Sequence, residues 1–302
     1  MSPSKLKAHS FIFIANVIYG ANYTIAKHVM PQYLQPIGFV LLRVIGAFLL
    51  FFSLYNMGAS QKIEKKDFRR LVVCSLFGIA INQIFFFEGL SRTTPINASI
   101  IMVFSPILVL IISNIINKEK ISFAKVIGIV LGFCGAFYLI TKGGTVSFTK
   151  SENSLGDVLI FLNSISWSIY LVLIKSLMKK YETLTVMKWV FLFGIFWILP
   201  FGWNEMISVD YSQIPGSAIL AILYVIVFTT FLAYWLNNIA LKTVEPSVVG
   251  IYIYLQPLLA SFFAILLGKD FIDGTKIVSA ILIFAGVYLA SFYKHKTTYE
   301  KS

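Results

Sequence analysis

The sequence predicts an all-α membrane protein: ten transmembrane helices arranged as two inverted five-helix repeats around a central cavity. Three observations predict it. Charge is scarce, apolar runs of membrane-crossing length recur along the chain, and the second half repeats the layout of the first.

Of the 302 residues, 58% are hydrophobic and 13% charged, with a mean hydropathy of +0.83. A soluble chain carries about 25% charged residues. Half that supply cannot cover a protein of this size with water-compatible surface, so lipid is the expected solvent. At roughly 20 apolar residues per crossing, the runs fall near 10–28, 36–56, 69–90, 95–116, 122–140, 157–178, 185–201, 216–240, 247–267 and 274–293. Backbone polar groups in hydrocarbon must be paired within the segment, which makes each run a helix. The first run follows a short basic stretch as a signal peptide would. It continues through Asn16, Gly20 and Asn22 to Lys27 without a small-residue cleavage site, and is expected to stay as span 1.

The net charge of +12 is a matter of topology rather than of nucleic-acid binding. Segments on one side of the bilayer carry 18 Lys and Arg, against 6 on the other, with Arg43 inside span 2. Basic residues collect on the cytoplasmic side, so both termini of this multi-pass protein are expected there. The densest cluster, "KIEKKDFRR" at 62–70, suits lipid headgroups. Cys74 and Cys134 fall within spans 3 and 5 as small apolar fillers.

A shift of 151 aligns Leu90 with Leu241, Pro95 with Pro246, Ile100 with Ile251, Pro106 with Pro257 and Gly135 with Gly286, without a gap. The "NKEKIS" and "GKDFID" connections superpose as well. Upstream the register drifts: Lys27 matches Lys175 at a shift of 148, and Asn16 matches Asn163 at 147. The expected units are residues 1–145 and 146–302. Five spans per unit is odd, so the second unit crosses in the opposite sense. Inverted repeats of this kind are typical of secondary transporters, which place their site at the midplane between the halves.

The prolines give the repeat its mechanics. Pro95 and Pro246 open spans 4 and 9 at the first helical turn, where a missing N–H is harmless, and Thr94 or Thr93 is a candidate cap. Pro106 and Pro257 lie deeper and should kink their helices, freeing the carbonyls of Met102 and Ile253. A matched pair of kinks suggests two symmetric helices lining one central space.

With these residues in hand, the chain resembles the EamA family of the drug/metabolite transporter superfamily. The resemblance rests on "IYGANYTIAK", "IGFVLLRVIGAFLLF", "FFFEGLSRTTPINASIIMVFSPI" and its echo "YWLNNIALKTVEPSVVGIYIYLQPL", with "GIVLGFCGAFYLI" and "ILIFAGVYLA" ending the two halves. It spans nearly the whole chain. It implies a ten-helix permease with spans 1, 3, 4, 6, 8 and 9 around the cavity. It further implies movement of small metabolites, often amino acids and commonly outward, across a prokaryotic inner membrane. The sequence departs from the family pattern at Tyr19, where a tryptophan is expected; Trp167 keeps it in the second half.

Polar side chains within apolar spans are functional candidates by default. Asn16, Tyr19, Tyr23 and Lys27 mark one face of span 1, and Asn163, Trp167 and Tyr170 the matching face of span 6. Amides beside aromatic rings suit a neutral or zwitterionic solute; the same groups also serve as glue between helices. Span 3 adds Asn82, Gln83 and Glu88, span 8 Asn237 and Asn238, span 4 Asn97 and Met102, and span 9 Tyr252 and Gln256. Glu88 is the acidic residue set within an apolar run, where the charged form is disfavoured. It is a candidate for proton binding or for recognising a substrate ammonium, with pairing to Arg92 one turn on as the alternative. Arg43 is expected to pair with a carbonyl or a headgroup, with binding of an anionic group as the alternative, and Lys27 and Lys175 to reach for the interface. Gly128 and Gly132 form a small-xxx-small pair for close helix packing or a homodimer.

No catalytic pair or metal-ligand cluster is legible, His9, His28 and His295 lying at membrane edges or in the tail, so neither an enzyme nor a cofactor is expected. The lack of a P-loop argues against an ATP-driven motor. The expected function is a secondary-active or facilitative exporter of amino acids or similar small metabolites by alternating access, with a small-molecule substrate and the bilayer as partners and protons as a candidate third. The alternatives are an uptake or exchange carrier for an anionic metabolite and a non-transporting receptor or assembly factor.

Overall fold

In the computed structural model the described residues are 3–57, 61–119, 121–141, 154–266 and 271–292. The connection 142–153, part of the "GKDFID" loop and the tail with His295 lie outside them. The described residues are helical, without strands.

The helical segments are α1 (Pro3–Val29), α2 (Pro36–Met57), α3 (Lys65–Arg92), α4 (Pro95–Met102 continued by Ser105–Asn117), α5 (Phe123–Ile140) and α6 (Ser154–Lys180). They continue with α7 (Thr183–Ile207), α8 (Gly216–Leu241), α9 (246–266) and α10 (Gly274–Phe292). Among the described residues, nine helices are long and apolar enough to cross a membrane. Helix α1 is not one of them, because Lys5, Lys7, His9, Asn16 and Asn22 dilute its apolar content. Helix α7 runs on to Ile207, past the expected end at 201, and Glu205 in this extension accepts from the Gly38 N–H at 2.7 Å.

Helix α4 opens as its sequence suggests. Pro95 sits in the first turn and the Thr94 hydroxyl accepts from the Asn97 N–H at 3.1 Å. The helix is interrupted just before Pro106, where Val103 and Phe104 donate to Ile100 and Ile101 in tight i→i−3 bonds. Helix α9 tightens in the same way, to a 3₁₀ turn at Tyr252–Tyr254 just before Pro257. A proline ring crowds the carbonyl four residues earlier and offers no N–H, so the turn ahead of it contracts. Two further irregularities were not expected: π-helical stretches at Leu76–Ile81 in α3 and Val225–Leu232 in α8. Such bulges leave carbonyls free and favour functional sites.

Helix pairs α2–α7 and α5–α10 pack side by side, α3 lies on α6, and α1 on α8. The α5–α10 seam explains the small-residue pair. A Cβ built on Gly128 would lie 2.6 Å from the Gly286 carbonyl oxygen, and one on Gly286 would lie 2.5 Å from that of Gly128. The backbones touch, so this stripe is used inside the chain. The C-terminal part of α4 packs on the start of α9, where Val109 meets Gly250.

Candidate functional site

A cavity lies at the centre of the bundle, bounded by α1, α2, α3, α4, α6, α8 and α9. It leaves about 80 Å³ in which the centre of a water molecule can sit, several times the roughly 10–15 Å³ that one water needs. Helices α1, α3, α4, α6, α8 and α9 were expected around it; α2 joins them through Arg43.

From α1 come Asn16, Tyr19, Asn22 and Tyr23, which fall on one helical face at their spacing. Helix α3 contributes Asn82, Gln83, Phe86 and Phe87, and α6 contributes Asn163 and Trp167. Met102 enters at the break in α4, with Thr229, Tyr234 and Asn237 from α8 and Val249, Ile253 and Gln256 from α9. Arg43 is the one formally charged side chain in this lining.

Two hydrogen-bonded sets hold the polar wall. On one side Gln256 Nε2 donates to Asn16 Oδ1 at 2.9 Å, and the Tyr23 hydroxyl donates to Gln256 Oε1 at 3.2 Å. On the other, Asn163 Nδ2 donates to the Asn82 carbonyl at 2.7 Å. The Tyr234 hydroxyl lies 2.8 Å from the Gly78 carbonyl, to which it donates, while Gln83 Nε2 approaches it at 3.3 Å. Gly78 belongs to the π stretch of α3, so the bulge supplies the carbonyl that orients Tyr234. Several amide oxygens remain without a donor: Asn22 Oδ1, Gln83 Oε1 and Asn163 Oδ1 are buried and have no hydrogen-bond partner among the described residues. Buried polar atoms are rarely left in that state, and here they belong to side chains around the cavity.

Arg43 is 3% exposed. Its Nε donates to Thr230 Oγ1 at 2.7 Å, and the Thr230 hydroxyl in turn donates to the Val225 carbonyl at 2.7 Å, within the π stretch of α8. The guanidinium carbon stands 4.3 Å from the centre of the Phe87 ring. Its partners are thus a hydroxyl and a ring face, rather than the carbonyl or headgroup expected, because α2 turns this residue inward between α3 and α8.

Other predicted site residues stand away from the cavity. Tyr170 and Asn238 are fully buried behind its wall, where Asn238 Nδ2 donates to the Tyr170 hydroxyl at 2.8 Å and Tyr170 packs on Trp167. Tyr252 pairs with His9 at 2.9 Å in a separate apolar recess between α1, α9 and α10. Asn97 lies in the capped first turn of α4. Glu88 receives Arg92 Nη2 at 2.9 Å and Nε at 3.1 Å, so it takes the pairing alternative. Replacing Glu88 by glutamine is expected to leave transport and its pH dependence unchanged within about twofold, since i,i+4 pairs of this kind contribute little. A pH profile flattened by this substitution would return Glu88 to the mechanism.

Lys27 and Lys175 do not reach outward. Lys27 Nζ donates to the carbonyls of Leu90 and Ser91 at 2.7 and 2.8 Å, closing the end of α3. Lys175, 4% exposed, donates to the Val244 carbonyl after α8. Cations at helix C-termini satisfy orphan carbonyls.

Sequence reasoning also missed Asn22, Thr229, Tyr234 and Phe87. A signal existed for Tyr234: it is the 151-shift mate of Gln83, and the two touch. Glu119 was missed altogether. It is 8% exposed and binds Ser113, Lys125 and Ser247, joining the ends of α4, α5 and α9.

An apolar bundle enclosing a cavity of amides and aromatic rings beside broken helices is the construction of a membrane carrier. The EamA-like transporter family model matches residues 6–141 and again 154–292, and the chain belongs to that family. Its members are transporters rather than enzymes. The Bacillus subtilis (strain 168) protein named uncharacterized transporter YyaM is 26% identical over 278 residues, covering 91% of this chain and 90% of its own. An uncharacterized transporter of Archaeoglobus fulgidus is 26% identical over 292 residues, covering 96% and 99%. The Arabidopsis thaliana protein WALLS ARE THIN 1 is 23% identical, covering 97% and 84%. A solved crystal structure at 19% identity superposes with a TM-score of 0.74 over 96% of both chains; that likeness shows the fold alone.

Proposed function

We propose that the protein is a secondary-active or facilitative carrier that exports amino acids or similar small zwitterionic metabolites by alternating access. The observation that carries the reading is the cavity wall: buried amide oxygens without donors, aromatic faces, a single cation and no acidic side chain. Amide oxygens accept from an ammonium, rings cover an apolar side chain, and the mixture suits a solute of no net charge. A phosphorylated or multiply anionic cargo fits less well, because Lys27 and Lys175 are engaged with carbonyls.

Alternating access asks for two equivalent halves, and several features support ten crossings in two inverted units, residues 1–145 and 146–302. The family model matches twice, α3 and α8 both carry π stretches, and α4 and α9 both break ahead of a proline. The packing of α3 on α6 is mirrored by that of α8 on α1. Gln83 meets Tyr234, its mate 151 positions on, as residues beside a twofold axis would. By the distribution of lysine and arginine, both termini face the cytoplasm.

The test is counterflow. Proteoliposomes preloaded with unlabelled solute should accumulate labelled amino acid, and empty liposomes should not. Accumulation of organic phosphates and dicarboxylates alone would favour the anionic alternative.

A further inference from the structure

The cavity holds a positive charge with nothing negative beside it. Arg43 is buried, no Asp or Glu shares its lining, and among the described residues it makes no ion pair. An isolated charge at membrane depth is costly and is normally paired. Thr230 and Phe87 reduce that cost without supplying a counter-charge: the hydroxyl takes Nε, and the ring face attracts the cation. They also fix the guanidinium. With Nε committed to Thr230 and the guanidinium carbon held over the Phe87 ring, Nη1 and Nη2 carry no hydrogen bond to a described residue and are left for an occupant of the cavity.

We propose that Arg43 recognises the carboxylate of the transported solute, with Thr230 and Phe87 as its positioning residues. A guanidinium presents a planar fork that fits a carboxylate through two parallel bonds. The bound solute then supplies the counter-charge that the protein omits. An internal Asp or Glu beside Arg43 would compete for the same fork, which accounts for an uncompensated charge at this position. The wall facing it is aromatic and amide, so the cargo is a monocarboxylate whose remainder is apolar or amino-bearing. This rests on the carrier reading above and adds which group of the cargo is indispensable and which residue reads it.

The experiment compares, in counterflow, each common amino acid with its α-carboxamide and its decarboxylated amine. The wild-type protein is expected to exchange the acid at least about tenfold faster than the carboxamide, as sites built around a polar partner discriminate against its loss. Arg43→Gln should lose that preference or reverse it, and Arg43→Lys should keep it at a reduced rate. The readout is a ratio within one variant, so it does not depend on how much of that variant folds. Wild-type exchange of carboxamides or amines as fast as acids overturns the assignment and leaves the carrier reading standing, as does an undiminished acid preference in Arg43→Gln. Wild-type liposomes that exchange none of these solutes remove the carrier reading for this cargo, and the assignment falls with it.

Discussion

Leucine in place of Gly128 is expected to prevent folding of the bundle. A Cβ at this position would lie 2.6 Å from the Gly286 carbonyl oxygen and 2.7 Å from the Ala290 nitrogen, against about 3.5–4.0 Å for an unstrained carbon contact. The obstructing atoms are backbone, so no rotamer change relieves them, and α5 and α10 must separate along the whole seam. Overpacking costs roughly 1–3 kcal/mol where side chains can yield, and the cost here should reach or pass the upper end. Gly286→Leu should behave alike, since the approach is reciprocal. Gly216→Ala is the control: nothing lies within 4 Å of a Cβ there. Detergent-solubilised yield and thermal unfolding followed by size-exclusion chromatography would read the difference. A Gly128→Leu variant as monodisperse and as heat-stable as wild type would mean that the α5–α10 backbone contact does not exist.

The second large effect is expected at Glu119. Its carboxylate binds Ser113 of α4, Lys125 of α5 and Ser247 at the start of α9, with its side chain 4% exposed and that of Lys125 18%. Removing one partner from a buried ion pair costs about 3–5 kcal/mol, because the other charge stays buried and unmatched. Glu119→Ala should therefore lower thermal stability markedly, and Glu119→Gln less, since an amide can accept from one serine hydroxyl and donate to the other. Only this end of α4 and α9 is tied by the carboxylate, so its loss should also expose Ser247. Cysteine placed at 247 should label slowly with a membrane-impermeant maleimide in the wild-type background and several-fold faster beside Glu119→Ala. Equal labelling rates in the two backgrounds would show that Glu119 does not hold this end closed.

Glu88 and Glu119 show where sequence reasoning stops. By hydropathy Glu88 looks buried and Glu119 looks exposed in a turn. The structure leaves Glu88 partly buried and paired, and buries Glu119, because burial depends on what other helices do at that height. Arg92 follows Glu88 by one helical turn and meets it at the bundle's edge, whereas α9 arrives from 128 positions away to cover Glu119. Arg43 belongs to the same class. Its sequence shows a cation in an apolar run; only the rotation of α2 against α3 and α8 decides whether it faces lipid or cavity.

What the sequence determined alone follows from local chemistry. Apolar runs specify helices, since hydrocarbon offers the backbone no other partner. Prolines at 95 and 106 set where α4 begins and where it breaks, by removing donors at those positions. Asn16, Tyr19 and Tyr23 share a wall because their spacing puts them on one helical face, and Asn163 with Trp167 do so for the same reason. The tertiary structure decided the rest: Tyr170 and Asn238 stand behind the wall, Tyr234 stands in it, and the small-residue seam is consumed between α5 and α10. Spacing fixes which side chains share a face of one helix, but which neighbour that face meets is set by the packing of all of them together.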